Sequence, residues 1–333
     1  MENDLDQKEW DVVIVGAGMC GLMAARKLMA AGLRVAVIDK GRGVGGRMAY
    51  RRIGEAIFDH GAQYISARSD GFQKSMQEWQ ENGAAAVWSE GFAELPGDHP
   101  RWRGAPHMKA IPSLLADGLP VLTNAKITEI SKHGDRWEVV LENEIRYVCG
   151  ALIMTPPVPQ SVALLGGIFH EFSEEMRAQL ERLTYHRCFA VMAVLDGASG
   201  LPRPGVKTFS DGSLAWMADN QMKGISPVPC VTIHASHDFS LARWEEDRQE
   251  TARMMIAHAS PWLAAQVTEF QIHGWRYSKP AVTHDAPFLV LQHQPYLALA
   301  GDAFGIIHRG NVEGAATSGW AVAENVIEFF SRK

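Results

Sequence analysis

The 333-residue chain has the composition of a globular protein, since 47% of its residues are hydrophobic and 21% are charged. Its length allows one large domain or two ordinary ones with a substantial core. A net charge of −6 argues against a general nucleic-acid-binding protein. The four cysteines form no Cys-x-x-Cys pair, which indicates neither a zinc site nor a disulfide framework. We therefore predict no metal site.

The start of the chain and its apolar runs bear on localisation. Residues 1–10 are acidic and polar, which is not typical of a secretory signal. No run approaches the roughly 20 apolar residues of a membrane span, and residues 322–333 are predicted to form a short amphipathic helix. We expect a cytoplasmic protein without a membrane or nucleic-acid partner.

The first motif is a buried strand, a glycine turn and a helix. The apolar run 12–15 is followed at once by Gly16, Gly18 and Gly21, and then by an alanine-rich stretch. Gly16 permits the tight turn, Gly18 lets a pyrophosphate approach the backbone, and Gly21 lets the helix pack on the strand. The phosphates then lie at the positive helix N-terminus. This order predicts a dinucleotide site; the alternative is a doubly wound domain without a nucleotide.

A second apolar strand, 35–38, ends on an acidic residue, Asp39. A carboxylate about 20 residues after the glycine turn accepts ribose hydroxyls in dinucleotide folds. Asp39 favours an unphosphorylated ribose, as in FAD or NAD, although Lys40 and Arg42 leave NADP open.

Two glycine-containing segments follow. Residues 41–48, which include Gly46 and Arg47, are suited to wrapping a phosphate, although a surface loop has similar composition. In the run 58–65, the small residues Gly61 and Ala62 allow a flat ring to approach the backbone. The side chains of Gln63 and Tyr64 can then face a substrate. The alternative for this second run is a strand with a glycine bulge.

The middle of the chain is predicted to alternate between helices and strands. Residues 70–83 have the apolar spacing of a surface helix, and the stretch to about 117 is predicted to be irregular. Strands are predicted at 121–123, 126–131, 137–141 and 147–154, with a three-stranded meander among them. After Thr155-Pro156-Pro157 the chain is expected to cross into an α+β unit with helices 174–183 and 241–258 and strands 188–195, 228–235 and 267–277.

Several side chains in this α+β unit are candidates for a substrate pocket. Each is equally compatible with structural packing, since a lone histidine on a strand usually has a structural role. They are His234, His237, Trp216, Trp244, Trp275, Arg276 and Tyr277.

The last segment returns to the pattern of the first. Another apolar strand, 296–300, ends in Gly301-Asp302, and a small-residue helix is predicted at 315–323. Such a turn presents a carboxylate to polyol hydroxyls and a helix dipole to a ring that becomes anionic, which fits a flavin better than a nicotinamide. Both ends of the chain then belong to one domain.

These patterns predict an α/β protein whose FAD-binding domain is Rossmann-like, of the glutathione-reductase type, and discontinuous, with an inserted α+β substrate domain. We assign residues 1–68, 118–157 and 294–333 to the FAD-binding domain. The substrate domain is assigned residues 69–117 and 158–293.

The chain resembles the FAD-dependent amine oxidase superfamily and, within it, the renalase-like group. The superfamily resemblance depends on the glycine turn, Asp39, Gly45-Gly46-Arg47, Thr155-Pro156 and Gly301-Asp302. The closer resemblance depends on three further segments: Asp59-His60-Gly61-Ala62-Gln63-Tyr64 with Ala67-Arg68, Trp275-Arg276-Tyr277, and Val312-Glu313-Gly314-Ala315 with Ser318-Gly319.

This resemblance implies a tightly bound, noncovalent FAD. Renalase-like bacterial enzymes oxidise dihydronicotinamide isomers, 2- or 6-dihydro-NAD(P), to NAD(P)⁺ by hydride transfer to flavin N5, and oxygen accepts the electrons as hydrogen peroxide. The expected substrate and catalytic residues are Gln63, Tyr64, His234 and Trp275. The expected FAD contacts are Gly16, Gly18, Gly21, Asp39, Lys40, Arg42, Gly46, Arg47, Gly61, Ala62, Gln63, Ile127, Thr155, Gly301, Asp302, Val312 and Ala315.

Two departures from amine oxidases proper weaken an amine substrate. Neither the lysine common near flavin N5 nor the paired C-terminal aromatic residues of an amine cage can be identified. The alternatives are an amine oxidase, a carotenoid- or porphyrinogen-type desaturase, and a non-catalytic flavin-binding redox sensor.

Overall fold

A computed structural model describes residues 9–92, 99–305 and 310–332. The strands are β1 Glu9–Val15, β2 Val35–Ile38, β3 Tyr50–Ile53, β4 Ala56–Asp59, β5 Ile65–Ser66, β6 Ala85–Ser89, β7 Arg101–Gly104, β8 Val121–Leu122, β9 Ile127–His133, β10 Arg136–Leu141, β11 Arg146–Met154, β12 Tyr185–Leu195, β13 Val206–Thr208, β14 Leu214–Asp219, β15 Cys230–Ala235, β16 Val267–Pro280, β17 Phe288–His293 and β18 Tyr296–Ala300. The α-helices are α1 Met19–Ala30, α2 Asp70–Glu81, α3 Ala110–Ala116, α4 Val158–Leu165, α5 Glu174–Glu181, α6 His237–Ala242, α7 Arg248–Ala259 and α8 Val312–Ser331. Short 3₁₀ turns cover Gly46–Met48, Gly166–Glu171 and Ser260–Trp262.

The chain forms two compact units, each assembled from separate stretches of sequence. What we call the terminal unit lies within Met1–Gly46, Pro112–Thr184 and Lys279–Lys333, and the central unit comprises Arg47–Ile111 and Tyr185–Ser278. Both ends of the chain therefore contribute to the same unit.

These boundaries differ from the predicted domains at four places. Residues 47–68 lie in the central unit, where Phe58 of β4 packs against Met192 and Cys230. Residues 112–117 and the segments 158–184 and 279–293 lie in the terminal unit; in the last of these, β17 pairs with β18. Such long-range packing has no signature in the local composition.

The terminal unit is built on a mainly parallel sheet with the strand order β17-β18-β11-β1-β2-β8. The central strands are continuous apolar runs because both faces of the sheet are buried. Val15 lies opposite both Ile38 and Met154, and Met154 lies opposite Leu299. The carboxyl ends of β18, β11, β1 and β2 therefore share one edge. The predicted meander is confirmed as β9-β10-β11, joined to this sheet.

Close backbone contacts fix α1 against its surroundings. A Cβ on Gly21 would lie 2.0 Å from the carbonyl oxygen of Gly16, and a Cβ on Gly319 of α8 would lie 2.3 Å from that of Cys20. By contrast, a Cβ on Gly18 would meet no atom within 4 Å. Gly21 and Gly319 are therefore required by packing, whereas Gly18 borders open space.

The central unit is built on an antiparallel arrangement with the strand order β13-β14-β15-β12-β16. Phe189, Ile233 and Met217 of this sheet form a core with Trp244 and with Met255 of α7. A β3-β4 hairpin and a small sheet, β5-β7-β6, complete the unit.

Three local predictions are wrong. The single helix expected at 241–258 is two helices, because the Asp247 side chain accepts the Glu250 N–H and starts α7 anew. The C-terminal region is one helix, α8, that begins at Val312 because Asn311 caps it through the Gly314 N–H. Strands β6 and β7 and helix α3 lie in the stretch expected to be irregular, of which residues 93–98 fall outside the described residues.

A buried ion pair joins the β4 end of the central unit to the loop after β14. The Lys223 ammonium donates to Asp59 Oδ2 at 2.8 Å and to the Gln63 carbonyl at 2.6 Å, and both charged side chains are 0% exposed. The other carboxylate oxygen of Asp59 accepts the Met108 N–H, and its carbonyl accepts the Thr232 hydroxyl. Burial lowers the pKa of Lys223, while the Asp59 carboxylate raises it. The segment from Asp59 to Gln63 is therefore held at both ends.

We expect Lys223→Met to lower the free energy of unfolding by about 3–5 kcal/mol, because it leaves the Asp59 carboxylate buried without its cation. Urea unfolding monitored by circular dichroism measures this loss. Arg253→Met, which breaks an exposed pair with Glu250, is the control and should cost under about 1 kcal/mol. The double variant Asp59→Asn with Lys223→Met should lose less than Lys223→Met alone, and equal losses in all three variants would contradict the role of the pair.

The glycines of the first turn provide a second prediction. Gly21→Ala should destabilise the protein by about 3 kcal/mol or more, because its Cβ must displace backbone. Gly18→Ala, at a position with φ of −82° and open space, should cost under about 1 kcal/mol. Thermal unfolding of the two variants tests this difference, and similar losses would show that the turn is not close-packed.

Candidate functional site

The N-terminus of α1 is open to an anion. Gly18 is the N-cap residue, and no side chain in the described parts of the chain caps this helix. The backbone turns sharply at Gly16, where φ is +102° and a Cβ would lie 2.6 Å from Thr155 Oγ1. Free N–H groups at a helix N-terminus bind phosphate. The turn therefore fits the pyrophosphate of a dinucleotide.

The Asp39 carboxylate holds the two loops beside this turn. Its oxygens accept the N–H groups of Ala17 and Gly41, each at 2.6 Å. The Gly45 N–H donates in turn to the Ala17 carbonyl at 2.8 Å. Each carboxylate oxygen accepts more than one hydrogen bond. Asp39 thus retains acceptor capacity for ribose hydroxyls at the end of β2.

The turn after β18 meets the same sheet edge. Gly301 has φ of +145°, and its N–H donates to Ser318 Oγ of α8 at 2.8 Å. Thr155 Oγ1 donates to the Val15 carbonyl at 2.7 Å, which ties the end of β11 to the end of β1. Asp302 follows directly and is only 6% exposed. The carboxyl edge thus carries a backbone cradle and a second carboxylate.

The residues predicted to hold FAD in the terminal unit divide into two groups. At the carboxyl edge of the sheet lie Gly16, Gly18, Gly21, Asp39, Thr155, Gly301 and Asp302, with Val312 and Ala315 half-buried in the first turn of α8. Three residues after β2 are exposed, namely Lys40, Arg42 and Gly46, while Ile127 is buried at the start of β9. Lys40 donates to Gln160 Oε1 at 3.1 Å. The donor set of the edge fits a dinucleotide cofactor.

The remaining predicted cofactor residues lie in the central unit. The Ala62 N–H donates to the Arg47 carbonyl at 2.8 Å, and the Arg47 guanidinium donates to the Ser278 carbonyl at 3.2 Å. A Cβ on Gly61 would lie 2.0 Å from the Arg47 carbonyl oxygen and 3.2 Å from the Trp275 ring. The absence of a side chain at Gly61 is therefore required by packing.

Two predicted substrate residues meet at one carbonyl group. The His60 carbonyl accepts Nε2 of His234 at 3.0 Å and Nε1–H of Trp275 at 2.9 Å. Because a carbonyl only accepts, the His234 proton lies on Nε2 and its Nδ1 is an acceptor. The structure thus brings together His234 on β15 and Trp275 on β16.

The His60 ring completes an aromatic group that we call the histidine cluster: His60, His234, His273 and Trp275. The His60 ring stacks on Trp275 with 5.2 Å between centroids and meets His273 edge-on at 5.1 Å. Burial, with repulsion from neighbouring His273 and Arg51, lowers the pKa of His60 to about 3. Burial lowers the pKa of His234 to about 4 and also lowers that of His273. The cluster is therefore uncharged at neutral pH.

The other two predicted substrate residues have different surroundings. Gln63 is 7% exposed, and its amide donates to the carbonyls of Asp59 and Gly61. Tyr64 stacks on Trp216 at 5.5 Å and meets Phe92 edge-on at 5.2 Å. Gln63 therefore supports the loop that carries His60, whereas Tyr64 belongs to a separate aromatic group.

Sequence reasoning missed His60, His273 and the Asp59–Lys223 pair. His60 lies within the motif that carries the closer resemblance. Its neighbours in space, His234 and His273, lie on strands that are far from it in the sequence and belong to no recognisable histidine motif. The packing of strands brings these residues together, and no local signal in the sequence indicates the cluster.

We expect stability to fall as the pH drops from about 6.5 towards 4, because the unfolded chain protonates its histidines while folded His60 and His234 stay neutral. One such group contributes a slope of up to about 1.4 kcal/mol per pH unit. His234→Gln, which keeps a donor for the His60 carbonyl, should show a shallower slope than the parent. Urea unfolding at several pH values tests this. The exposed His293→Gln is the control, and identical slopes in all three proteins would refute the neutral cluster.

The described residues contain no cluster of three or more His, Cys, Asp or Glu side chains arranged to hold a metal ion. Of the helices in the described ranges, none has both the length and the apolar content needed to cross a membrane.

Two family models match the chain. The NAD(P)-binding Rossmann-like domain matches residues 14–79, and the flavin containing amine oxidoreductase family matches residues 80–327. Renalase of Mus musculus is 26% identical over 317 residues, which cover 88% of this chain and 92% of renalase. Putrescine oxidase of Kocuria rosea is 52% identical over 58 residues, 17% of this chain and 12% of its own length. The predicted renalase-like resemblance is confirmed.

Solved structures agree on the fold. A putrescine oxidase bound to putrescine aligns with a TM-score of 0.67 at 14% identity, over 96% of this chain and 99% of its own. A putative protoporphyrinogen oxidase from Exiguobacterium sp. aligns with a TM-score of 0.66 at the same identity and coverage. The predicted fold class is therefore confirmed. Together with the cradle at the carboxyl edge, these matches show that the chain belongs to the flavin containing amine oxidoreductase family and is an FAD-dependent oxidoreductase.

Proposed function

We propose that this enzyme oxidises dihydronicotinamide isomers, 2- or 6-dihydro-NAD(P), to NAD(P)⁺ and passes the electrons to oxygen. One observation carries the proposal. The two segments of the renalase-like resemblance that surround His60 and Trp275 meet at the His60 carbonyl, in a cluster that holds no charge at neutral pH. The similarity to renalase over most of both chains supports the same assignment.

The terminal unit holds the cofactor in this proposal. Gly18 and the N-terminus of α1 bind the pyrophosphate, Asp39 the adenosine ribose, and Asp302 the ribityl chain. Bound FAD supplies a hydride acceptor at N5 and the route by which oxygen becomes hydrogen peroxide. The protein's task is then to hold the donor ring in reach and to keep water away from it.

The donor chemistry explains why a neutral cluster suits it. A dihydropyridine ring loses one hydride, that is a proton and two electrons, and becomes an aromatic pyridinium cation. No protein base is needed for this step. Because His60, His234 and His273 are uncharged, they do not repel the developing positive charge. His234 Nδ1 offers an acceptor for the carboxamide N–H of the ring, and Trp275 offers a flat face for stacking.

The state of the buried lysine in the central unit bears on the alternative that the enzyme is an amine oxidase. Lys223 is fully buried in the central unit, and its ammonium is engaged by Asp59 and the Gln63 carbonyl. Bound in this way, it does not act as a free base. The match to putrescine oxidase over 58 residues nevertheless makes amines the first comparison to test.

We expect anaerobic addition of 2- or 6-dihydro-NAD(P) to bleach the oxidised-flavin spectrum of the purified protein, with NAD(P)⁺ as product. Putrescine, other amines and a polyene are added in parallel. Reduction by an amine or a polyene but not by the isomers would replace the proposal with an amine oxidase or a desaturase. Tightly held flavin that no donor reduces would point to a non-catalytic redox sensor.

A further inference from the structure

The central unit carries three arginines around one tryptophan, which we call the arginine cluster: Arg187, Arg248 and Arg276. Arg187 lies on β12, Arg276 on β16, and Arg248 is the first residue of α7. Their guanidinium carbons lie 4.9, 4.6 and 5.9 Å from the centroid of the Trp244 ring. Three like charges therefore converge on one buried ring.

No acceptor in the described ranges engages these guanidinium groups. No carboxylate oxygen of residues 9–92, 99–305 and 310–332 lies within 4 Å of them, although many other arginines of the chain have such a partner. The acidic residues nearby in sequence are otherwise engaged: Glu246 pairs with Arg243, Glu250 pairs with Arg253, and Asp247 caps α7. Glu245 remains as the acidic neighbour that acts on Arg248. The cluster thus has an excess of positive charge.

Arg248 packs against two aromatic rings of the cluster. Its guanidinium lies over Phe189 at 4.4 Å as well as over Trp244. Its Nη1 is buried and has no hydrogen-bond partner among the described residues, and a Cβ on Gly274 would lie 3.2 Å from that atom. Burial lowers the pKa of Arg248, Glu245 raises it, and Arg187 and Arg276 lower it further. Simple packing leaves this repulsion uncompensated, whereas a bound anion relieves it.

The cluster lies close to the residues proposed to hold the nicotinamide ring. Arg276 directly follows Trp275, and the charge of Arg248 acts on His273, whose ring centroid is 4.3 Å from that of Trp275. Successive side chains of a strand point to opposite faces. Since β16 is an edge strand of its sheet, a ligand that stacks on Trp275 can pass around this edge to Arg276.

We propose that the arginine cluster binds the pyrophosphate of the dinucleotide substrate. This inference rests on the proposed function and names the feature by which the enzyme selects its donor. Arginine binds phosphate oxygens through paired N–H groups. The same charge repels ammonium groups, so the cluster favours phosphate-bearing dihydropyridines and disfavours amines.

The test compares two donors in the anaerobic reductive half-reaction, 6-dihydro-NAD and the 6-dihydronicotinamide riboside that lacks phosphates. Arg276 has an exposed side chain. Arg276→Gln should weaken the apparent binding of the dinucleotide about tenfold, as expected for the loss of one charge-assisted hydrogen bond. It should leave the apparent binding of the riboside unchanged. Arg187→Gln and Arg248→Gln should act in the same way. Arg253→Gln, on α7 but paired with Glu250, is the control and should change neither donor. Equal effects on both donors, or none, would overturn the proposal.

A second measurement separates this inference from the proposed function. Calorimetric titration of the FAD-loaded protein with inorganic pyrophosphate should show binding that weakens in Arg276→Gln, whether or not the isomers reduce the flavin. Absence of pyrophosphate binding in the parent protein would overturn the anion site. Failure of the isomers to reduce flavin, with pyrophosphate binding intact, would instead reject the donor and keep the anion site. Thermal unfolding and flavin content establish that each variant is folded.

Discussion

The central unit depends on one buried ion pair, Asp59 with Lys223. Two opposite charges without solvent contact are stable only when the geometry and the remaining hydrogen bonds are satisfied. Here Lys223 also donates to the Gln63 carbonyl, and Asp59 also accepts the Met108 N–H. The pair therefore fixes the short segment between Asp59 and Gln63. The His60 carbonyl projects from that segment and orders His234 and Trp275.

The two units offer different kinds of contact to the ligands proposed for them. The terminal unit relies on backbone: a sheet edge, a glycine turn and an uncapped helix, which suit a cofactor whose phosphates and hydroxyls need many donors and acceptors. The central unit offers side chains instead, which suits the selection of the proposed donor. Its histidine cluster is neutral, and its arginine cluster is positive.

These two clusters form a consistent arrangement of charge for the proposed donor. A ring that becomes a cation benefits from neutral neighbours, whereas a pyrophosphate benefits from positive ones. Burial achieves the first condition by lowering the pKa of His60 and His234. Stacking of Arg248 on Phe189 and Trp244 achieves the second by placing a guanidinium where no carboxylate of the described residues pairs with it.

The sequence by itself determined the Rossmann-like order, the FAD cofactor and the family. Strand, Gly16-x-Gly18-x-x-Gly21, helix and Asp39 are local features, and their spacing is dictated by backbone geometry. Only the tertiary structure decided the boundaries of the two units and the grouping of His60 with His234 and His273. Those features depend on contacts between residues far apart in the chain, formed when β4, β15 and β16 come together, and no local pattern encodes such contacts.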